Sequence, residues 1–181
     1  MQIPNDPDWP EWERIIYHEA GHAALSMKLW DQPAPIVVIK SSDKDGNPSK
    51  GGSFKVQIKL EMSSKDLPIK TAVQNVMVCA AGYVTELIKF GNASNGFRKD
   101  KFQIDGIISV TNDQVARDEG DTNYPRTHQE VTQCAHAIEA IAKEAMKSFI
   151  DKELLGKDFA EVELLNGDSV ASIYRSVTKG S

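Results

Sequence analysis

The sequence predicts a mainly α-helical domain of the α+β class, with one small β-hairpin or sheet beside its first helix. Three observations carry that expectation. Apolar residues recur at three- and four-residue steps along most of the 181-residue chain, as on one face of a helix. From Asp31 the pattern changes to period two, clearest from Phe54 to Leu60, which suits half-buried strands. Hydrophobic residues make up 40% of the chain, enough at this length for one core rather than two. Residues 1–181 are therefore expected to form a single domain, with residues 1–10 as an extended N-terminal arm.

Pro4, Pro7 and Pro10 keep that arm extended, and Glu11 and Glu13 then place negative charge in the first turn of a helix running from about Pro10 to Leu29. Ile15, His18, His22, Leu25 and Leu29 form one stripe on it, so the histidines stand where a core helix carries leucines. Two strands follow, "PIVVIK" and "SFKVQIKL", the second alternating Phe54, Val56, Ile58 and Leu60 with Lys55, Gln57 and Lys59. The connecting "SSDKDGNPSKGG" has the look of a calcium loop but lacks its sixth-position glycine and closing glutamate, so it reads as a hairpin loop.

A second helix is expected from Leu67 to Phe90, closed by Gly91, with Val73, Val76, Met77, Ala80, Val84, Leu87 and Ile88 as its stripe. After the turn "GNASNGFRKD" comes a shorter helix from about Lys101 to Asp118, ended by Gly120 and Pro125. Val131, Cys134, Ile138, Ile141, Ala145 and Phe149 then predict one long helix from Thr127 to Leu155. Short helices are expected at Asp158–Leu165 and Asp168–Ser176.

The formal charge of -5 and the lack of a basic stripe argue against a nucleic-acid partner. The longest apolar run, Val76 to Val84, is far shorter than the roughly 20 residues that span a bilayer, so no membrane insertion is expected. The first residues lack a basic lead and an apolar core, so no secretory signal is read and the expected location is cytoplasmic. Cys79 and Cys134 lie in apolar helical patterns and read as reduced core thiols.

The chemistry concentrates in "YHEAGHA", residues 17 to 23. Residues four apart on a helix lie nearly above one another, so His18 and His22 can both reach one metal ion. Glu19, turned about 100° away, is better placed to take a proton from water activated by that ion. Zn2+ is the expected cofactor, with Glu19 as general base in the hydrolysis of a carbonyl compound. Two imidazoles without partners in an apolar stripe would each cost on the order of 1–3 kcal/mol, which a metal offsets. Gly21, costly inside a helix, marks a close approach by backbone, ion or substrate. Two blander readings stay open: histidines bonded to core carbonyls or carboxylates, and a metal held without catalysis.

These residues resemble the peptidase domain of the FtsH-type ATP-dependent zinc metalloproteases. "YHEAGHA" matches the family's helix from His18 to Ala23, and "AGYVTELIKFG", Ala81 to Gly91, is similar to its second helix, with Glu86 on the family's glutamate. The tail "FAEVELLNGDSVASIY" is similar, more loosely, to the family's closing helices. The resemblance implies a zincin-like helical domain and a third zinc ligand, an aspartate at the start of the helix after a Gly-Ala-Ser-Asn turn. Here "GNASNGFRKDKFQID" keeps Ala93, Ser94 and Asn95 but has Gly96 at the aspartate's place. Asp105 is the preferred third ligand and Asp100 the alternative. Glu86 is expected to accept the second ring N–H of a ligand histidine, or else to pair with Arg98, Lys99 or Lys101.

No Gly-x-x-x-x-Gly-Lys-[Ser/Thr] phosphate loop occurs in the sequence. The expected activity is therefore zinc-dependent hydrolysis of peptides or already unfolded proteins, with a separate unfoldase or a homo-oligomer as possible partners. The strand from Ser53 to Lys59 offers an edge for an extended substrate, or is a plain edge blunted by lysines. The rival expectation is a catalytically inactive binding or regulatory module that keeps the fold and the zinc.

Overall fold

The structure, a computed structural model, describes residues 5–42, 48–54, 69–94, 97–121 and 124–179. It is mainly helical with a small antiparallel sheet, the expected α+β class. In chain order the elements are α1 (Trp9–Trp30), β1 (Ile36–Ser42), β2 (Pro48–Phe54), α2 (Ile69–Phe90), α3 (Arg98–Val110), α4 (Gln114–Asp121), α5 (Pro125–Gln133), α6 (Ala135–Asp151), β3 (Glu161–Leu165) and α7 (Gly167–Thr178). No helix among the described residues is long and apolar enough to cross a membrane.

Helix α1 is the central element, packed against α2, α6 and the sheet. The extended arm expected over residues 1–10 ends earlier, because Trp9 and Pro10 already belong to α1; Pro10 sits in its first turn, where a missing amide donor costs nothing. Trp9 and Trp12 anchor that end by meeting Phe149 of α6 at ring-centroid distances of 5.9 and 5.2 Å. The close approach expected at Gly21 is that of the neighbouring helix: a Cβ there would lie 2.9 Å from the Ala81 carbonyl oxygen and would also run into Thr85. Helices α1 and α2 therefore touch nearly backbone to backbone, deep in a core that includes Ile16, Leu25, Val76 and Ile141.

The three strands run in the order β2-β1-β3. Val38 of β1 faces Gly52 on one side and Val162 on the other. Strand β2 is thus an edge, and its outer side pairs with no strand among the described residues.

The structure corrects several sequence expectations. The hairpin connection is shorter than residues 41–52, because Ser41 and Ser42 continue β1 and Pro48 to Gly52 already belong to β2. A strand ladder is made by backbone groups, so Gly51 and Gly52 can pair without contributing a side chain. Residues 55–60 of the expected second strand lie outside the described residues, as do Leu67 and Pro68 of the expected second helix. The segment expected as a helix over Asp158–Leu165 contains β3, whose register against Val37, Val38 and Ile39 completes the sheet. The helix expected from Lys101 to Asp118 is two helices, α3 and α4. Asp113 divides them, its Oδ1 accepting the Ala116 amide at 2.8 Å as a helix-starting cap. The long helix breaks at Cys134 into α5 and α6. Helix α7 holds as expected, with Asn166 capping it by accepting the Ser169 amide at 2.8 Å.

Buried Glu119 ties α4 to α5. Its Oε1 accepts the Thr127 amide and hydroxyl, each at 2.8 Å, and its Oε2 accepts the Arg126 amide at 3.2 Å. These amides start α5, where no residue of the helix can reach them. Glu119→Ala is expected to lower unfolding stability by about 1–2 kcal/mol, as lost helix caps do, read as a lower urea midpoint. An unchanged midpoint would contradict the capping role.

Candidate metal centre

Helices α1 and α2 run antiparallel, and each presents positions four residues apart to the other. On α1 these are His18 and His22. On α2 they are Val78, Gly82 and Glu86, one nearly above the next. The pairing follows from that geometry: the His22 Nδ1–H donates to the Val78 carbonyl at 2.7 Å, and the His18 Nδ1–H donates to Glu86 Oε1, also at 2.7 Å. Between them stands Gly82, where a Cβ would lie 2.5 Å from His18 Nε2 and 2.6 Å from His22 Nε2. Only glycine lets both rings lie flat against α2.

With each Nδ1 proton committed, both Nε2 atoms turn their lone pairs to the same point, 3.1 Å apart. The third donor comes from α3. Asp100, in its first turn, places Oδ2 3.0 Å from His18 Nε2 and 3.6 Å from His22 Nε2. Three donor atoms within 4.8 Å of one another form a group able to hold a metal ion. A tetrahedral ion with bonds of about 2.0–2.1 Å sets its ligands about 3.3–3.4 Å apart. The observed separations of 3.0, 3.1 and 3.6 Å bracket that value, so the donor set fits.

The preference for Asp105 is corrected by the same geometry. Five helical residues turn the chain by about 500°, which leaves Asp105 roughly 140° away from Asp100 around α3. Its side chain is 57% exposed and pairs with Lys101 at 2.7 Å. The alternative, Asp100, is the aspartate that the structure brings to the histidines.

Glu86 is 1% exposed and is held from several sides. Besides His18 it accepts the Ser94 amide at 2.7 Å, the Ser94 hydroxyl at 3.0 Å and Arg14 Nη1 at 3.2 Å. Burial pushes its pKa up, but these donors and the charge of His18 outweigh that and hold it below the ordinary glutamate value. Its basic partner is thus Arg14, not Arg98, Lys99 or Lys101. Asp100 is likewise opposed by burial and held well below the usual carboxylate range by both histidines. For His18, burial lowers the pKa, yet its bonds to Asp100 and Glu86 and the charges of Glu19 and Asp100 raise it to about 10 without a metal.

Glu19 faces away from the α2 side into a cleft of about 630 Å³ between α1, the β2 edge and the start of α3. It is 5% exposed, and its Oε2 has no hydrogen-bond partner among the described residues. Burial raises its pKa above the ordinary value, against the smaller pull of His18 and His22. Strand β2 lies so close that any Cβ at Gly52 would overlap the Glu19 carboxylate. Gly52, Gly82, Arg14 and Ser94 were not legible as site residues from the sequence. Gly82 carried the one available signal, a glycine inside a helix.

Against models of protein families the sequence has no match, and a search of curated proteins also returns none.

Wild type and Asp105→Asn are expected to bind a divalent ion alike, Glu86→Gln about 10–100-fold more weakly, and Asp100→Asn more weakly still, measured by competition with a chromogenic chelator. Because His18 is protonated without metal at neutral pH, the ion must displace that proton. Affinity should therefore rise with pH from about 7 to 9, and calorimetry in buffers of different ionisation heat should show proton release. A pH-independent affinity would contradict the assigned hydrogen bonds.

Proposed function

We propose that the protein is a zinc metallopeptidase that hydrolyses peptide bonds in peptides or unfolded segments, with His18, His22 and Asp100 holding the ion. The observation that carries this reading is the position of Glu19: a buried carboxylate with an unengaged oxygen, beside the three donors and directly under an edge strand. Two imidazoles and a carboxylate suit zinc, which when bound would polarise a substrate carbonyl and acidify water.

The chain's own residues supply the rest. Glu86 and the Val78 carbonyl fix the ring tautomers, so both Nε2 atoms remain donors toward the ion. Glu19 takes a proton at its free oxygen and returns it to the departing amine. Burial, which raises its pKa above the ordinary glutamate value, favours uptake of that proton. Ser49 to Gly52 of the edge strand β2 line the cleft, and that edge offers an extended peptide the pairing of an added strand. The absent side chain of Gly52 lets that backbone come within reach of Glu19. The resemblance to the FtsH-type peptidase domain supports the same reading. A substrate that is already extended, or that an unfoldase delivers, suits the pairing that β2 offers.

Purified protein should contain zinc rather than iron by elemental analysis and should cleave an unfolded protein in a chelator-sensitive, zinc-restored manner. Glu19→Gln should keep the zinc and lose about 10²–10⁴-fold in kcat. Stoichiometric zinc with no Glu19-dependent cleavage of any unfolded substrate would favour the inactive binding module instead. Failure to bind zinc after reconstitution would contradict both.

A further inference from the structure

The charges lining the cleft are unevenly matched. Of its cations, Arg14 is engaged by Glu86 and by the Asn92 carbonyl, at 3.2 and 2.9 Å. Lys50 is engaged by Glu11 and Asp8, at 2.7 and 2.9 Å. Arg98 and Lys99 also line the cleft and are exposed, yet neither makes an ion pair or hydrogen bond among the described residues. They occupy the first turn of α3, where cations oppose the helix dipole. The cleft's own carboxylates do not relieve them: Glu86 and Asp100 are taken by the histidines and Arg14, Glu11 pairs with Lys50, and Glu19 is buried beneath β2. Lys99 acts on Glu19 through its charge. Arg98 stands where the cleft meets a second cavity of about 410 Å³, lined by Tyr83, Phe97 and Phe102.

We propose that Arg98 and Lys99 recognise a carboxylate on the bound peptide, so that the cleft prefers extended substrates with an acidic group close to the bond held at the metal. This rests on the peptide-binding reading of the cleft. An Asp or Glu side chain can supply the group, and so can the peptide's own C-terminus. Both cations immediately precede Asp100 in sequence, so a chain lying along β2 and crossing the donor set would pass them within a residue or two of the reacting bond. Both are exposed, so the attraction is screened by salt, and the preference should shrink as ionic strength rises.

The test uses zinc-loaded Glu19→Gln protein, which binds without cleaving, and fluorescein-labelled unstructured peptides read by anisotropy. One pair of C-terminally amidated peptides differs only in Glu against Lys at a central position; a further peptide has a free C-terminus. The Glu peptide is expected to bind about three- to tenfold more tightly than the Lys peptide at low salt. Adding Arg98→Glu and Lys99→Glu should reverse the order, and the double change to Gln should abolish it. Tighter binding of the free-acid peptide alone would assign the same carboxylate recognition to the chain end. Equal binding of all peptides, no binding of any, or a preference that survives charge reversal would overturn the proposal. Cleavage by wild type is scored separately, so loss of the charge preference and loss of the peptidase reading are distinguishable.

Discussion

The site depends on which edge of each imidazole is already engaged. His18 gives its Nδ1 proton to Glu86 and His22 gives its own to a helix carbonyl, at 2.7 Å each. In the neutral rings both Nε2 atoms are then acceptors, and they face each other and a carboxylate in the protein interior. Such a cluster of lone pairs is unfavourable unless a proton or a cation lies among them. A proton joins His18 to Asp100, whereas a metal ion satisfies all three donors together. The buried Glu86 carboxylate that starts this arrangement is itself stabilised by Arg14 and by two donors of Ser94.

This chemistry follows from helix packing. Because α1 and α2 are antiparallel and both repeat every four residues along their contact, one register places His22 over Val78 and His18 over Glu86. Gly21 and Gly82 make the register possible from opposite sides, one admitting the α2 backbone and the other admitting the rings. The first turn of α3 then adds Asp100, and β2 closes over Glu19. Three elements from distant parts of the chain converge on one helix, which explains why α1 is so thoroughly buried. The tryptophans at its start hold its N-terminal end against α6.

Periodicity made α1, α2 and α7 legible, because long amphipathic or core helices repeat their pattern many times. It failed where the deciding partner is remote or the segment short. Glu161 to Leu165 is a strand because β1 is available to pair with it, and five residues are too few for a period to settle the matter. Gly51 and Gly52 read as loop residues, and the role of Gly52 is to leave space for Glu19, which lies more than thirty positions earlier in the sequence. The breaks at Asp113 and Cys134 interrupt patterns that remain helical on both sides. In the site, His18, Glu19, His22 and Glu86 were visible as a spacing on one helix and a carboxylate on an apolar neighbour. The aspartate was not: Asp100 and Asp105 are the same residue type five positions apart, and only the rotation of α3 separates the one that faces the histidines from the one that faces solvent.

The central claim is that these three donors share one ion. A crystal of the zinc-loaded protein, with anomalous difference maps on both sides of the zinc edge, tests it most directly. The account predicts a single peak about 2.0–2.2 Å from His18 Nε2, His22 Nε2 and an Asp100 carboxylate oxygen, with Nδ1 of each ring still bonded to Glu86 or Val78. A peak centred elsewhere, or none at this position with zinc in excess, would contradict it.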